Sequence, residues 1–462
     1  MGIASWRVGV LVGLAGLAAS ASAAVVPGTV VVMDDDPIDG STVASLNTPF
    51  TNGLGQVGTV IALTDGRRAI MIGNAIVFTS DDALPDVATG GESTMGIGDA
   101  GQFIYSPSFN SHDAVYGEAG LIAQATDPAP DFAAGYNTTF HSRPRMLPDG
   151  RSFWVAGIND GAGGTSSQSR IVYMRALDGT ITGVLRAGDV VDGVTVASSS
   201  GIDFDVAMSD NGAHQMYVFD NAVTLATNVA VDGTIVAREA APTGDGDNWQ
   251  NFDSTSVNDT GHYAFTGDTD SAAAVDEFIA YDGSIVLREG DAAAGGTISG
   301  SLSAMSINNL NQMVFIWVLD GVETLLYAPD ASDPRGTSVA LLAVGDTITT
   351  PDGDFVIDDF NASNAIGPGL DLAEDGMVYA EVDMTSVAGG ASLEAIVGVS
   401  IGAGPCNAAD LAEPYGVLDL ADIGAFVSAF INQDLLADLS GDGILDLQDV
   451  NLFVQNFVAG CP

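Results

Sequence analysis

The chain has 462 residues, a formal net charge of -48 from 60 acidic and 12 basic residues, and no lysine, so every cation is an arginine. Polyanionic nucleic acid is excluded as a partner, because its phosphates would be repelled. So strong an acidic bias keeps a protein soluble at high ionic strength and collects cations, which fits a saline habitat and calcium use alike.

Met1–Ala23 reads as a secretory signal. Arg7 marks the basic start, Val8–Leu17 is apolar or Gly throughout, and Ala21-Ser22-Ala23 supplies the small-residue cleavage site. The apolar run is too short to span a bilayer, and no later run reaches the ~20 residues a span needs. The expectation is a secreted or cell-surface protein, released near Ala23, with no membrane span.

From Val25 to Ser400 the sequence consists of short runs rich in Val, Ile, Phe and Tyr, broken by Asp-Gly, Asn-Gly and Gly-Gly pairs. This pattern predicts strands and tight turns. Three elements recur. The first is a polar turn leading into an aromatic strand, as in Gly98-Asp99-Ala100-Gly101-Gln102-Phe103 and Asn258-Asp259-Thr260-Gly261-His262-Tyr263. The second is an Asp-Gly hairpin, at Asp178-Gly179, Asp232-Gly233 and Asp282-Gly283, a pair suited to two-residue turns that need positive φ. The third is a Gly-Asp turn, at Gly188-Asp189, Gly290-Asp291 and Gly345-Asp346, where the aspartates are read as turn caps rather than metal ligands.

Seven copies of the first element, marked by Gly55, Gly101, Gly150, Gly212, Gly261, Asn311 and Gly376, stand 46, 49, 62, 49, 50 and 65 residues apart. About four short strands per unit of ~50 residues predict a mainly β fold over residues 24–401, a propeller of about seven four-stranded blades. A solenoid or paired sandwiches is the competing architecture, since the two long steps leave room for insertions that would break a ring. The Asn-Asp-x-Gly-x-aromatic and Arg-Glu-Gly-Asp elements resemble those of the exported tandem-repeat proteins with an interchangeable C-terminal anchor found in planctomycete-type bacteria. That resemblance implies a propeller-like fold and a surface or extracellular location, and no established activity.

Residues 402–405 read as a linker to a small helical module over 406–462. Asp438-Leu439-Ser440-Gly441-Asp442-Gly443-Ile444-Leu445-Asp446-Leu447-Gln448-Asp449 has the spacing of a calcium loop. Oxygens of Asp438, Ser440, Asp442, Asp446 and Asp449, with the carbonyl of Ile444, would surround one Ca²⁺. Asp419, Asp422, Ile423, Phe426, Val427 and Phe430 match Asp446, Asp449, Val450, Phe453, Val454 and Phe457 at an offset of 27. Asp410, Asp419 and Asp422 are the weaker ligand set of this first copy, whose loop carries one extra residue and Tyr415 where the second copy has Asp442. Ile423, Phe426, Val427 and Phe430 fall on one helical face, predicted to pack the two halves together. The duplicated loop-helix resembles a type I dockerin module, an EF-hand-like fold, which implies a cohesin-like or other extracellular protein receptor. Leu447-Gln448 and Leu420-Ala421 depart from the Ser-Thr pair with which dockerins meet a cohesin. Cys406 and Cys461 bracket the module, and an exported chain with two cysteines is expected to join them in a disulfide.

No catalytic motif stands out. His112, His141, His214 and His262 are the four histidines, and no H-E-x-x-H, G-x-S-x-G, P-loop or C-x-x-C spacing occurs. His141-Ser142-Arg143-Pro144-Arg145 is a cationic spot with two readings, a seat for a carboxylate or sulfate and a structural pair serving nearby aspartates. The expected role is non-catalytic binding or display, and the competing role is a polysaccharide-active enzyme. A channel end rich in carboxylates and aromatics would favour the enzyme, and a channel of small or apolar residues the binder.

Overall fold

The computed structural model describes residues 25–26, 28–79, 88–109, 112–132, 134–159, 169–197, 205–350, 353–361, 369–401, 409, 411, 420–432, 437, 439 and 445–459. Among these, strands form seven sheets of four or more members, six from one continuous stretch of sequence each and the seventh from two, arranged as a seven-bladed propeller. Blade 3 illustrates the unit: Asn137–Met146, Ser152–Asn159, Ser169–Arg175 and Ile181–Arg186 pair in sequence order, all antiparallel. Blade 1 spans Pro37–Thr79, blade 2 Ala88–Gln124, blade 4 Asp205–Arg238, blade 5 Thr255–Arg288 and blade 6 Ala292–Ala343. Blade 7 runs from Thr347 to Ser400 and is completed by the N-terminal strand Gly28–Met33, which pairs antiparallel with Ser392–Ser400.

All seven marker residues lie in the turn that leads from the innermost strand of a blade into the strand beginning at Val57, Phe103, Ser152, Gln215, Tyr263, Met313 or Met377, and all have positive φ, from 61° at Asn311 to 94° at Gly150. In each turn the marker N–H donates to the carbonyl three residues earlier, as Gly261 does to Asn258 at 3.0 Å. A left-handed residue there costs a β-carbon ~1–2 kcal/mol, so Gly, or Asn with its short amide, is selected. The Asp-Gly pairs at 232–233 and 282–283 have positive φ at both positions, the predicted hairpin geometry. Asp178-Gly179 differs. Only Gly179 is left-handed, and its N–H donates to Ala176, so this pair forms the same turn as the markers.

Asp189, Asp291 and Asp346 cap their turns as expected, accepting the N–H groups of Arg186, Arg288 and Ala343 at 2.8–3.0 Å. The long marker steps contain additions at the blade margin. Val190–Val191 and Val194–Thr195 form a hairpin ahead of blade 4, and Thr347–Thr350 with Gly353–Phe360 forms one entering blade 7. The ring is therefore extended at these points and not broken.

Apolar residues form one cluster at each of the seven blade interfaces. Blades 2 and 3 meet through Ile104, Val115, Trp154 and Tyr173, and blades 4 and 5 through Val218, Trp249, Phe265 and Phe278. The first turns add a polar ring. Asn211 N–H donates to Asp259 at 2.8 Å, Asp259 N–H to the Asn309 side chain at 2.7 Å, and Asn309 N–H to Glu374 at 2.9 Å.

In the C-terminal module, Leu420–Asn432 and Leu447–Ala459 are helices, and Phe426 stacks on Phe453 at 4.3 Å between ring centres. The packed face is Phe426, Ala429 and Phe430 against Val450, Phe453 and Phe457. Ile423 and Val427, expected on that face, are 36% and 47% exposed. Small Ala429 completes the stripe and lets the aromatic pairs approach, which rotates Ile423 and Val427 outward.

The ring-closing seam buries carboxyl groups. Glu381 is 9% exposed on strand Met377–Ser386, with Glu394 and Asp383 nearby, and Asp34 accepts the Glu394 N–H at 3.2 Å. Glu394 in turn accepts the Leu46 N–H of blade 1 at 3.0 Å. Burial, reinforced by Glu394 and Asp383, pushes Glu381 up to about 8, and burial pushes Asp34 up to about 6. Because the folded state holds these protons more tightly than the unfolded chain, this stability is present at low pH and is lost as pH rises through about 6 to 8. The unfolding temperature should therefore rise on acidification from pH 8 to 5. Glu381→Gln should flatten that dependence by up to ~1.4 kcal/mol per pH unit, measured by thermal denaturation of both proteins across the range.

Candidate functional site: the axial channel

The strand just before the marker turn of every blade faces the axis, and together they enclose a cavity of about 260 Å³. Its lining takes residues from all seven blades, among them Phe50 and Thr51 of blade 1, Gly96 of blade 2 and Arg143 and Arg145 of blade 3. Asp210 of blade 4, Ser254 and Ser256 beside blade 5, Met305 of blade 6, and Asp371 and Glu374 of blade 7 complete it. The wall is mixed, with carboxylates, arginines, serines and methionines, and matches neither of the two extremes that would separate enzyme from binder by lining alone.

The arginines reach the channel through a bulge. Pairing between the first two strands of blade 3 jumps from Ser142↔Val155 to Arg145↔Phe153, so that Arg143 and Pro144 together stand opposite Trp154. Proline has no N–H for a ladder, so a bulge is where a strand accommodates it. Arg143 adopts φ 51°, a left-handed conformation that costs a side chain ~1–3 kcal/mol and is concentrated at functional sites. The Arg145 guanidinium lies over the Phe50 ring at 4.6 Å.

Three carboxyl groups lie near the first-turn end. Asp371 accepts the Thr51 N–H at 2.6 Å and its hydroxyl at 3.0 Å. Burial pushes Asp371 up, while nearby Arg145 opposes that shift. Asp210 accepts from the Asn309 side chain at 3.1 Å and is pushed up to about 6 by burial and by Asp259 and Asp371. Glu374 is pushed up to about 7 by burial and by Asp210 and Asp259. All three therefore hold a proton more tightly than an exposed carboxyl does.

The histidines are placed elsewhere. His141 is 2% exposed, accepts the Trp154 indole N–H on Nδ1 at 3.0 Å and is held neutral by burial down to about 4. His214 and His262 each pair with the hairpin aspartate of their own blade, Asp232 and Asp282, at 2.7 Å. The side chain of His112 lies outside the described residues.

Of the expected calcium ligands, Asp410, Asp419, Asp438, Ser440, Asp442 and Ile444 lie outside the described residues, as do Cys406 and Cys461. Among the described residues no group of three or more His, Cys, Asp or Glu is arranged to hold a metal. Asp446 caps the last helix through the Gln448 N–H at 2.6 Å, and Asp449 accepts the Asp446 N–H at 2.9 Å. Asp422 accepts the Leu411 N–H at 2.7 Å. Asp422 and Asp449, equivalent in the duplication, are both fully buried.

No family model and no curated protein matches the chain. Similar solved structures include a prolyl endopeptidase at 12% identity and TM-score 0.41, covering 80% of this chain and 47% of that one. An acylaminoacyl peptidase in complex with Z-Gly-Gly-Phe-chloromethyl ketone shows 11% identity and TM-score 0.42 over 77% of this chain and 51% of its own. TolB from Acinetobacter baumannii shows 10% identity and TM-score 0.31 over 73% and 78%. The matched region spans about half the length of the two peptidases. Among the described residues no helix is long and apolar enough to cross a membrane.

Gly96 sets the approach of the arginine bulge. A β-carbon there would lie 2.2 Å from the Met146 nitrogen and 2.8 Å from the Arg145 carbonyl carbon, both main chain. Gly96→Ala should destabilise the protein by ~1–3 kcal/mol through overpacking, with blade 3 displaced at the channel. Gly179→Ala, where φ is +85° and nothing lies within 4 Å, should cost only the ~1–2 kcal/mol of a left-handed alanine. Denaturant unfolding of the two variants checks the difference.

Proposed function

We propose that the protein is a secreted or cell-surface binding protein whose propeller presents the axial channel to an extracellular ligand, a polysaccharide among the candidates. The observation that carries this reading is the channel itself. It brings two arginines and three carboxyls of raised proton affinity to one concave, polar cavity, while the three described histidines are engaged in structural pairs elsewhere. Attachment runs through the C-terminal dockerin-like module, folded around Ca²⁺ held by Asp438, Ser440, Asp442, Ile444, Asp446 and Asp449. Asp410, Asp419 and Asp422 form the second, weaker set, the Cys406–Cys461 disulfide closes the module, and the partner is a cohesin-like or other protein receptor. The burial of Asp422 and Asp449 at equivalent places, both turned onto backbone N–H groups, supports a matched pair of loops.

One observation favours the second reading, a polysaccharide-active enzyme. Asp210, Asp371 and Glu374 share one end of the channel with raised proton affinities, the property a general acid requires. Incubation with a polysaccharide panel separates the two: retention without new chain ends supports the binder, and release of new ends that Glu374→Gln abolishes supports the enzyme.

For the module, calorimetry of the full mature chain with Ca²⁺ should give one or two ions per chain. At a hundredfold excess over the dissociation constant, Ca²⁺ should stabilise the helical unit by ~2.7 kcal/mol. Asp449→Ala should remove one ion. Absence of any calcium response would remove the calcium-folded attachment.

A further inference from the structure

The marker turns converge on the axis, and the residue two places before each marker shows how closely. Gly53 of blade 1 lies against blades 2 and 3: a β-carbon on it would stand 3.1 Å from an Asp99 carboxylate oxygen and 3.2 Å from the Pro148 β-carbon. Asn309 of blade 6 gives its side-chain N–H to Asp210 of blade 4 at 3.1 Å, past blade 5. From blade 5, the Asp259 N–H donates to the Asn309 side chain at 2.7 Å, and the Asn309 N–H reaches Glu374 of blade 7 at 2.9 Å. In a ring of seven, turns of blades that are not neighbours can touch only close to the axis. These contacts therefore form a plug across the marker-turn end of the channel.

Three residues further back, up to ~10 Å along extended chain, stands a second ring. All seven residues five places before the markers line the cavity. Phe50, Gly96 and Arg145 of blades 1 to 3 make a filled sector, with the Arg145 guanidinium 4.6 Å above the Phe50 ring. Ala207, Ser256 and Ser306 of blades 4 to 6 carry small side chains, which leaves the free volume on their side. Asp371 of blade 7 completes the ring, held by the Thr51 N–H at 2.6 Å. Asp210 and Glu374 belong both to the plug and to the cavity wall, so they form the floor.

We propose that the axial channel is a blind pocket, entered from the face opposite the marker turns, and that it receives the hydroxyl-bearing end of a glycan chain. This rests on the binding role proposed above and names its ligand class. A polymer cannot thread a channel that is plugged at one end, so the middle of a chain is excluded and a terminus is selected. The terminus meets the carboxyls of Asp210 and Glu374 at the floor and the hydroxyls of Ser256 and Ser306 at the side. Carboxyl and serine oxygens accept from sugar hydroxyls, and serine hydroxyls also donate to them. Ser254 also lines the cavity, and the period of two along a strand puts it on the face of Ser256, one step nearer the entrance.

A labelling experiment on the full mature chain reads the plug without any ligand. Ser306→Cys places a thiol on the cavity wall, and N-ethylmaleimide should label it above the blank set by the unsubstituted chain. Adding Leu310→Trp, on the exposed marker turn of blade 6, should leave that rate unchanged. Adding Ser254→Trp should bring it down to the blank, and Ser254→Leu takes its place if the unfolding temperature shows that the ring no longer folds. Any other pattern overturns the blind pocket. Calorimetry then reads the ligand, with dextran, laminarin, polygalacturonate and alginate offered intact and after partial acid hydrolysis at equal mass, beside free glucose and galacturonate. The expected result is saturable binding of at least one polymer, with sites per gram rising in proportion to the number of chain ends. Crowding of the entrance in Ser254→Trp should weaken that binding about tenfold or more, and Leu310→Trp should not. Sites per gram unchanged by hydrolysis would mean binding along the chain, which overturns the inference and leaves the binding role standing. Binding of a free sugar with no polymer end bound overturns the chain-end ligand. No binding by any polymer or fragment removes the binding role itself, and the ligand class with it.

Discussion

Pairing of the strand Gly28–Met33 with the last hairpin of the ring is the contact on which the rest depends. A sheet with an unpaired edge exposes N–H and C=O groups to any other strand. Here Gly28–Met33 occupies the outer edge of Ser392–Ser400, so blade 7 joins the start of the chain to its end. Unless that ladder forms, the interface between blades 7 and 1 lacks Val32, which belongs to its apolar cluster. The axis is lined by the strand before the marker turn in all seven blades, and so the channel exists only in the closed ring.

Closure has an electrostatic consequence. Glu394 reaches Leu46 across the seam, and Glu381 and Asp34 are held beside it with raised proton affinity. At the axis Asp210, Asp371 and Glu374 follow the same rule. An acidic chain that packs carboxyls between its blades reduces their mutual repulsion by protonating them, and its stability then falls as pH rises. The arginine bulge works against this background, placing cations where the carboxyls can become neutral.

Much of this architecture was legible in the sequence. The seven markers, including Asn311 in place of Gly, name the left-handed residue of every first turn, because a positive φ restricts the residue type there. The Gly-Asp caps were legible for the same reason. Ring closure was not, since Gly28–Met33 carries none of the repeat elements and its partner lies at the far end of the domain. Of the channel, Arg143 and Arg145 stood out as cations in an acidic chain, and the Pro between them marks the bulge. Asp210, Asp371 and Glu374 did not, because nothing local separates them from the other acidic residues; only the closed ring brings them to one cavity. On the helices, the predicted stripe included Ile423 and Val427 because they are large and correctly spaced. Packing instead selected Ala429, whose small side chain allows Phe426 to meet Phe453.

The most direct test of the account is a crystal structure of the full mature chain. The account predicts a seven-bladed ring closed by Gly28–Met33 on Ser392–Ser400, with Asp210, Asp371 and Glu374 brought to one axial channel. A ring closed by another strand, or those three carboxyls directed away from one cavity, would contradict it.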